Sequence, residues 1–443
     1  TLSGANTYTG TTTINAGDLT VSGSLHDSTA VTIASGADYN VNASDTVASI
    51  EGAGNIVIAS SQTLTAGDGN DKTLSGVISG AGNYIKAGSG TQTLSASNTY
   101  TGTTQVSAGT LTVSGSGRLS DSTAVTVDSG AVYNVAVSDT VASIAGAGSI
   151  TLGSNTLTSG GSDASTTFSG VISGTNGNII KAGTGTLTLS GANTYTGTTT
   201  INAGDLTVSG SLHDSTAVTI ASGADYNVNA SDTVASIEGA GNIVIASSQT
   251  LTAGDGNDKT LSGVISGAGN YIKAGSGTQT LTGNNSYTGS TTISAGLLKI
   301  IRDDPTSYLA ATSGFTGPGN LTIESSGDDF TADIVTGTHV QLAGTALGNL
   351  IIGKTGNTRQ IDLSSDITTT GTQTYNGPVR LVGGDRTVST TNSNVIFAST
   401  VNSDGTQRAL TVTNGTGDTT FSGAIGGSAP VKSLTITSDQ LTA

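Results

Sequence analysis

Apolar residues along the chain fall in short clusters: LTV (19–21), VTI (31–33), YNV (39–41), ASI (48–50), IVI (56–58), TLT (63–65), GVI (76–78) and YIK (84–86). Most lie about 8 residues apart, the spacing of short strands joined by tight turns. A three-residue strand whose outer members face one side fits a period of two. Between the clusters stand Gly, Asn, Asp and Ser, which tolerate tight turns and positive φ. No stretch carries a 3.6-residue apolar stripe, and Gly interrupts every candidate helix. The pattern predicts many short strands and no helix.

A longer repeat is laid over this rhythm. TLSGANTYTGTTTINAG at Thr1 returns as TLSASNTYTGTTQVSAG at Thr93, TLSGANTYTGTTTINAG at Thr188 and TLTGNNSYTGSTTISAG at Thr280, at intervals of 92, 95 and 92 residues. Residues 1–94 recur unchanged as 188–281, while the middle copy diverges, with SGSGRLSDST facing VSGSLHDST. The expected organisation is a repeat region over 1–300 (1–92, 93–187, 188–279 and a partial copy 280–300) followed by a divergent continuation over 301–443. The chain opens and closes in mid-pattern and is read as a piece of a longer polypeptide.

A closed barrel needs a fixed strand number, whereas this pattern simply continues. Three strands with their turns make a coil of about 24 residues, so the sequence predicts a parallel β-solenoid of about 18 coils and a rod on the order of 85 Å long. Composition agrees. Only 10% of the 443 residues are charged and 65 are Gly, yet 34% are hydrophobic, enough to favour folding over disorder. In stacked coils a residue meets its counterpart above and below; like charges repel there, whereas Thr, Val, Ile and Asn stack freely. Beyond about Lys299 the character shifts: all four prolines, five of six arginines and four of five phenylalanines lie there. IIRDDPTSYLAATSGFTGPGN (300–320) reads as a loop. Strand-like pieces resume at 320–325, 339–344, 349–353, 379–384, 394–400, 409–414 and 433–438.

The net charge of -16 argues against nucleic-acid or anionic-membrane partners, both of which need a basic surface. Without Cys there is no disulfide, thiol nucleophile or thiolate metal site. No apolar run is long enough to span a membrane as a helix.

KAGTGTLTLSGANTYTGTTTINAGDLTVSG (181–210), with FSGVISGTNGNIIKAG (168–183) and DSTAVTVDSGAVYNV (121–135), resembles the passenger-associated β-strand repeat of bacterial autotransporters and giant surface adhesins. The resemblance covers roughly residues 1–300. It implies a right-handed parallel β-helix on the outside of a Gram-negative-type cell, extracellular or outer-membrane-associated, with a role in adhesion, biofilm or surface architecture. It implies no catalytic site, because the family motif is structural. Homotypic self-association is the expected partner interaction, with a host-cell, neighbouring-cell or matrix ligand unidentified.

Candidate chemistry is sparse. His26 and His213 are one repeat position, occupied by Ser120 in the middle copy, and His339 stands apart; none reads as a catalytic base. No nucleophile elbow, phosphate loop or metal-ligand cluster is found. AGDGNDK (66–72, 253–259) places Asp68, Asp71, Asp255 and Asp258 as calcium candidates, although the tandem array typical of such loops is missing; otherwise no cofactor is expected. Asp45, Asp139 and Asp232 in SDTVASI, and Asp27, Asp121 and Asp214 in DSTAV, read as turn residues accepting backbone N–H bonds. Lys86, Lys181 and Lys273 are expected to project outward. Thr-x-Thr recurs too rarely for ice binding. Tyr8, Tyr100, Tyr195 and Tyr287 are expected every fourth coil along one edge, packed on a neighbouring coil with the hydroxyl wet. The leading expectation is a non-enzymatic structural rod of a surface adhesin or filament. The alternative is a polysaccharide-binding or polysaccharide-degrading β-helix, for which Asp303, Asp304, Tyr308 and Phe315 are the cluster to examine.

Overall fold

Alternation of β-branched residues with small polar ones does make short strands. In a computed structural model describing residues 1–304, 314–342 and 347–443, no helix occurs among the described residues, and parallel sheets stack as a β-solenoid of about 21 turns. Two compact units divide the chain, Thr1–Tyr226 and Asn227–Ala443.

In the first unit each coil visits three sides in a fixed order. Ser49–Gly52 lies on the first side, Asn55–Ile58 on the second and Thr63–Ala66 on the third. Each strand pairs in register with its successor one coil on: Ile50 lies beside Val31, Tyr39 beside Ile56, and Leu64 beside Tyr84. Alternate residues point inward, so Ile56, Ile58, Leu64 and Ala66 are buried while Val57 and Thr65 face out.

Coils of the first unit are shorter than the sequence rhythm predicts. The tightest run from Tyr39 to Ile56 and, equally, from Val132 to Ser149, and even a long one closes between Gly52 and Leu74. The corners account for the saving. At Ala34–Ala37 the Ala37 N–H donates to the Ala34 carbonyl, and Gly36 takes the left-handed conformation at φ 81°. Tighter corners explain about 21 turns rather than 18.

In the second unit the repeat runs out and the coils lengthen. Leu350, Gln373, Val395, Thr419 and Leu441 stand in one ladder, and every step in it is at least as long as that from Gly52 to Leu74. Aromatic residues fill the wider interior. The Tyr375 and Phe397 rings stack at 5.2 Å, and those of Phe397 and Phe421 at 4.9 Å. Of the expected later strands, six appear, as Asn320–Glu324, Leu350–Ile352, Val379–Leu381, Val395–Phe397, Ala409–Thr413 and Ser433–Thr437. Residues 339–344 form only isolated bridges as far as they are described, and 343–346 lie outside the described residues.

Gly146 is required by both conformation and space. Its φ is 111°, and a Cβ there would lie 2.1 Å from the Val127 carbonyl oxygen of the preceding coil. Gly146→Ala is expected to destabilise the chain by about 3 kcal/mol or more. Gly115 also has positive φ, at 64°, but faces open space; Gly115→Ala should cost about 1 kcal/mol. Urea unfolding of the two variants measures the difference.

Candidate functional site

The opening phrase interrupts a sheet. Between Thr91–Leu94 on the first side and Thr104–Val106 on the third, residues 95–103 cross the second side without a strand. Residues 114–123 do the same one coil later. The second-side sheet therefore stops at Ile78–Gly80 and resumes at Asp139–Val141.

Side chains supply what the missing ladder would have provided. Asn98 Oδ1 accepts the Ile78 N–H at 2.9 Å, while Asn98 Nδ2 donates to Ala96 O at 2.9 Å and to Arg118 O at 2.7 Å. One amide thus joins three successive coils. Asn193 repeats the arrangement with Ile172, Gly191 and Ser211. Asn285 accepts the Ile265 N–H. The buried carboxamide uses its acceptor and both donors, the condition for a polar group to stabilise an interior.

The recurring tyrosines lie beside these amides. Tyr100, Tyr195 and Tyr287 are buried, each hydroxyl bonded to the threonine four residues on, Thr104, Thr199 or Thr291. Thr104 and Thr123 share a further hydroxyl bond at 2.9 Å, and Thr123 Oγ1 donates to Gly102 O. Burial pushes the phenol pKa of Tyr100 and Tyr287 upward, partly offset by these bonds. The expected wet hydroxyl is therefore corrected for three of the four. Tyr8, 41% exposed, also bonds its threonine, Thr12, at 2.7 Å.

The single-edge arrangement is corrected as well. Thr12, Val31, Ile50, Lys72 and Gln92 mark four whole coils on the first side. Thr104, the counterpart of Thr12, comes two sides later, on the third. From Thr104, four more coils and two more sides lead to Thr199 on the second. A repeat is four and two-thirds coils, so within the first unit successive copies stand on three different sides.

The lysines reverse their expected orientation. Lys86, Lys181 and Lys273 are each 1% exposed. Lys181 Nζ donates to Ala182 O at 2.6 Å, Gly183 O at 2.7 Å and, one coil on, Ala203 O at 3.0 Å. Lys86 and Lys273 hold the equivalent carbonyls, with Ala108 and Ala295 in the following coil. Three ammonium hydrogens meet three carbonyl oxygens, so the charge is solvated by backbone instead of water. Burial pulls these ammonium pKa values below the ordinary range, opposed at Lys181 by Asp205 and Asp163. A charged residue at a strand end, after an apolar pair, suggested exposure; the carbonyl cage is a tertiary feature that no residue count signals.

Asp45 and Asp139 are also buried rather than in open turns. Asp45 accepts the Tyr39 hydroxyl at 2.6 Å and the Leu25 N–H at 3.0 Å. Asp139 accepts the Tyr133 hydroxyl, the Leu119 N–H at 3.1 Å and the Thr140 N–H at 3.0 Å. Asp232, also buried, accepts the Thr233 N–H. Tyr84 and Tyr271 keep buried hydroxyls without a protein partner. The middle copy places Ile179 there, equally buried, so the ring and not its oxygen fills the site.

The remaining candidates serve turns. Asp68 accepts both the N–H and the side-chain amide of Asn70, and Asp71 accepts the Thr91 N–H at 2.7 Å. Asp255 and Asp258 repeat this with Asn257 and Thr278. No group of three or more metal-ligating side chains occurs among the described residues. His26 and His213 accept the N–H two residues on through Nδ1, and Ser120 does so with its hydroxyl; a shared acceptor role explains the exchange of His for Ser. Asp27, Asp121 and Asp214 are exposed in the same turns. His339 Nδ1 accepts the Val335 N–H.

A cavity of about 470 Å³ in the second unit is lined by Arg302, Asp303, Asp304, Glu324, Ser326 and Lys354, among others. Asp303 accepts the Ser326 hydroxyl and amide, Lys354 donates to the Ser326 and Gly327 carbonyls, and Glu324 pairs with Lys299 at 2.8 Å. Asp303 and Asp304 thus share a cavity; Phe315 is buried in a strand, and Tyr308 lies outside the described residues.

Parallel coils whose recurring Lys, Asn, Tyr and Thr are consumed as internal joints define a repeat-built β-solenoid. Four segments, residues 1–21, 85–113, 179–208 and 272–300, match the model of the Passenger-associated-transport-repeat family. Each of the last three spans one complete joint, from the lysine to beyond the alanine of the following coil whose carbonyl it holds. The repeats and the solenoid together fit an autotransporter passenger domain. No curated protein and no solved structure matches the chain significantly.

Lys181→Met keeps the stem but leaves three carbonyls without a donor. It should lower stability by about 2–4 kcal/mol in urea unfolding; a loss under about 0.5 kcal/mol would contradict the cage.

Burial pushes the Asp139 carboxyl above its ordinary value, against the opposing bonds from Tyr133, Leu119 and Thr140. Its folded state therefore holds the proton more tightly than the unfolded chain. The contribution is complete below the unfolded value of about 4 and is lost as pH rises through the raised folded value. Asp139→Asn cannot ionise, so its stability relative to the parent should improve between about pH 4 and pH 7. Unfolding curves at both pH values check this; an unchanged difference would refute it.

Proposed function

We propose that the chain is a non-enzymatic structural segment of a large secreted surface protein of a Gram-negative-type bacterium, serving adhesion, cell-surface architecture or biofilm. The observation that carries this reading is how its repeated polar residues are used. Lys181, Asn193, Tyr195 and Thr199 all point inward and are bonded to backbone or to one another. A repeat under selection for chemistry would aim such groups at solvent or a groove. Here they hold one coil to the next, which suits a spacer that extends by adding units.

The polysaccharide reading draws less support. Of its cluster, Asp303 and Asp304 line the cavity beside Arg302, where Asp303, Lys354 and Glu324 are engaged by neighbouring residues. Association between copies belongs to the proposal as a means of building surface layers, and no metal or cofactor is part of it. No helix is long and apolar enough to cross a membrane among the described residues.

Displayed on a non-adherent bacterium, the chain is expected to raise attachment to cells or abiotic surfaces. The purified chain should release no reducing ends from a panel of bacterial, plant and host polysaccharides. Saturable turnover of any polysaccharide would overturn the non-enzymatic reading, and unchanged attachment the adhesive one.

A further inference from the structure

The three sides of the first unit are not tied equally from coil to coil. On the third side the strands from Thr63–Ala66 to Thr166–Phe168 pair each with the next without a break. Over the same coils the second side has strands only at Asn55–Ile58, Ile78–Gly80, Asp139–Val141 and Thr156–Ser159. Residues 95–103 and 114–123 stand in the gap, and their bonds to the neighbouring coils can be followed step by step.

The first two steps are well tied. Thr99 N–H and Thr101 N–H donate to Ile78 O and Gly80 O, both at 2.9 Å, and Asn98 Oδ1 accepts the Ile78 N–H. Across the next step Asn98 N–H donates to Arg118 O at 3.0 Å and Arg118 N–H to Ala96 O at 3.2 Å, backed by the Asn98 amide and the Ser97 hydroxyl. The third step, from 114–123 to 139–142, is different. Among the described residues two hydrogen bonds cross it on this side, Leu119 N–H to the Asp139 carboxylate at 3.1 Å and Ala142 N–H to Thr123 O at 2.9 Å. Between those bonds the chain leaves the ladder in a turn closed by Thr123 N–H on Ser120 O, with Asp121 and Ser122 exposed.

The sparse step recurs on another side. In the first copy Leu25 N–H donates to Asp45 at 3.0 Å and Ala48 N–H to Thr29 O at 2.9 Å, around a turn closed by Thr29 N–H on His26 O. That step lies on the third side, whose sheet starts at Asp45–Val47, whereas the step in the middle copy lies on the second. A regular step is tied more densely: Asp38–Val41 and Asn55–Ile58 keep four residues in register. Local opening follows the number of buried bonds that must break together, so a side held by two bonds gives way before a side held by a continuous ladder. Asp139 and Asp45 are buried, and each carboxylate is also held by a tyrosine hydroxyl, of Tyr133 or Tyr39.

We propose that this step is the hinge of the repeat. The solenoid bends there by opening one side at the buried aspartate, while the continuous ladders of the other two sides act as the fulcrum. In the middle copy those ladders run through Thr91–Leu94, Thr110–Val113 and Val132–Val135 on the first side, and through Thr104–Val106, Ala124–Val127 and Ser143–Gly146 on the third. Asp139 is the latch, because one of the two bonds that close the step ends on its carboxylate. Each hinge bends in one plane, and the hinges of the first two copies face different sides, so successive repeats bend in different planes. The hinge stands on hydrogen bonding alone and does not depend on the adhesive reading.

The chain has no cysteine, so paired spin labels can report the hinge in the full chain. Val57→Cys with Thr158→Cys places labels on the second side across the step, and Thr65→Cys with Thr167→Cys places them on the third side in the same two coils. All four positions face outward, and each pair is separated by about 24 Å at the spacing of stacked strands. The distance distribution measured by pulsed electron double resonance should be about twice as wide for the second-side pair as for the third-side pair. Equal widths would overturn the hinge, and this comparison in the parent decides it whether or not the next variant folds. Asp139→Ala should widen the second-side distribution further and leave the third-side one unchanged. In a variant that keeps its strand circular dichroism, equal widening of both pairs, or of neither, would overturn the aspartate as the latch.

Discussion

A parallel solenoid rests on one requirement: every backbone N–H and C=O on three sides must find a partner in the coil above or below. A strand that stops leaves such groups buried and unpaired, at a cost that no small core of Val and Ile offsets. The repeat breaks this ladder once per unit, and its distinctive residues are the remedy. Asn98 presents an amide where a backbone carbonyl would have stood. Lys86 gathers carbonyls that face no amide. Tyr100 fills the width that a strand would have filled and ties its hydroxyl to a threonine. The phrase that stands out in the sequence does so because it replaces secondary structure.

This also explains why charge is buried in a chain with so little of it. A lysine is the only side chain that offers three donors from one atom, and three carbonyls converge at each joint. A neutral residue would satisfy fewer of them. Likewise Asp45 and Asp139 accept from a tyrosine and from the backbone at once, which an alanine or valine there would leave without an acceptor. These groups make the joints specific, in addition to whatever stability they contribute.

Fold class and most strands were legible because they depend on local alternation and turn chemistry, which the sequence displays directly. Coil length was less so: LTV, VTI and YNV mark strands, but whether a corner takes two residues or four is decided by how it packs. The orientation of Lys181 was illegible for a different reason. Its neighbours in sequence, Ile180 before it and Ala182 and Gly183 after it, offer no side-chain partner for a charge, and the third carbonyl of its cage, on Ala203, lies 22 residues away. The buried tyrosine hydroxyls follow the same logic, since the four-residue spacing to threonine has no meaning until the chain turns between them. Assigning the tyrosines to one edge failed because coils of about 24 residues divide a repeat into about four, whereas the shorter coils of the structure divide it into four and two-thirds.

That fraction has a consequence for how such a chain grows. The segment Thr12–Ile14 lies on the first side and its identical copy Thr199–Ile201 on the second. One stretch of sequence thus satisfies two unlike neighbourhoods, so the sides are interchangeable as far as the repeat is concerned. A gene that duplicates one unit need not preserve any alignment with what precedes it, and a gene that loses one leaves no mismatched seam. Length becomes a quantity that unequal recombination adjusts freely, in steps of about 22 Å at the spacing of stacked strands. Each added unit also faces a new direction.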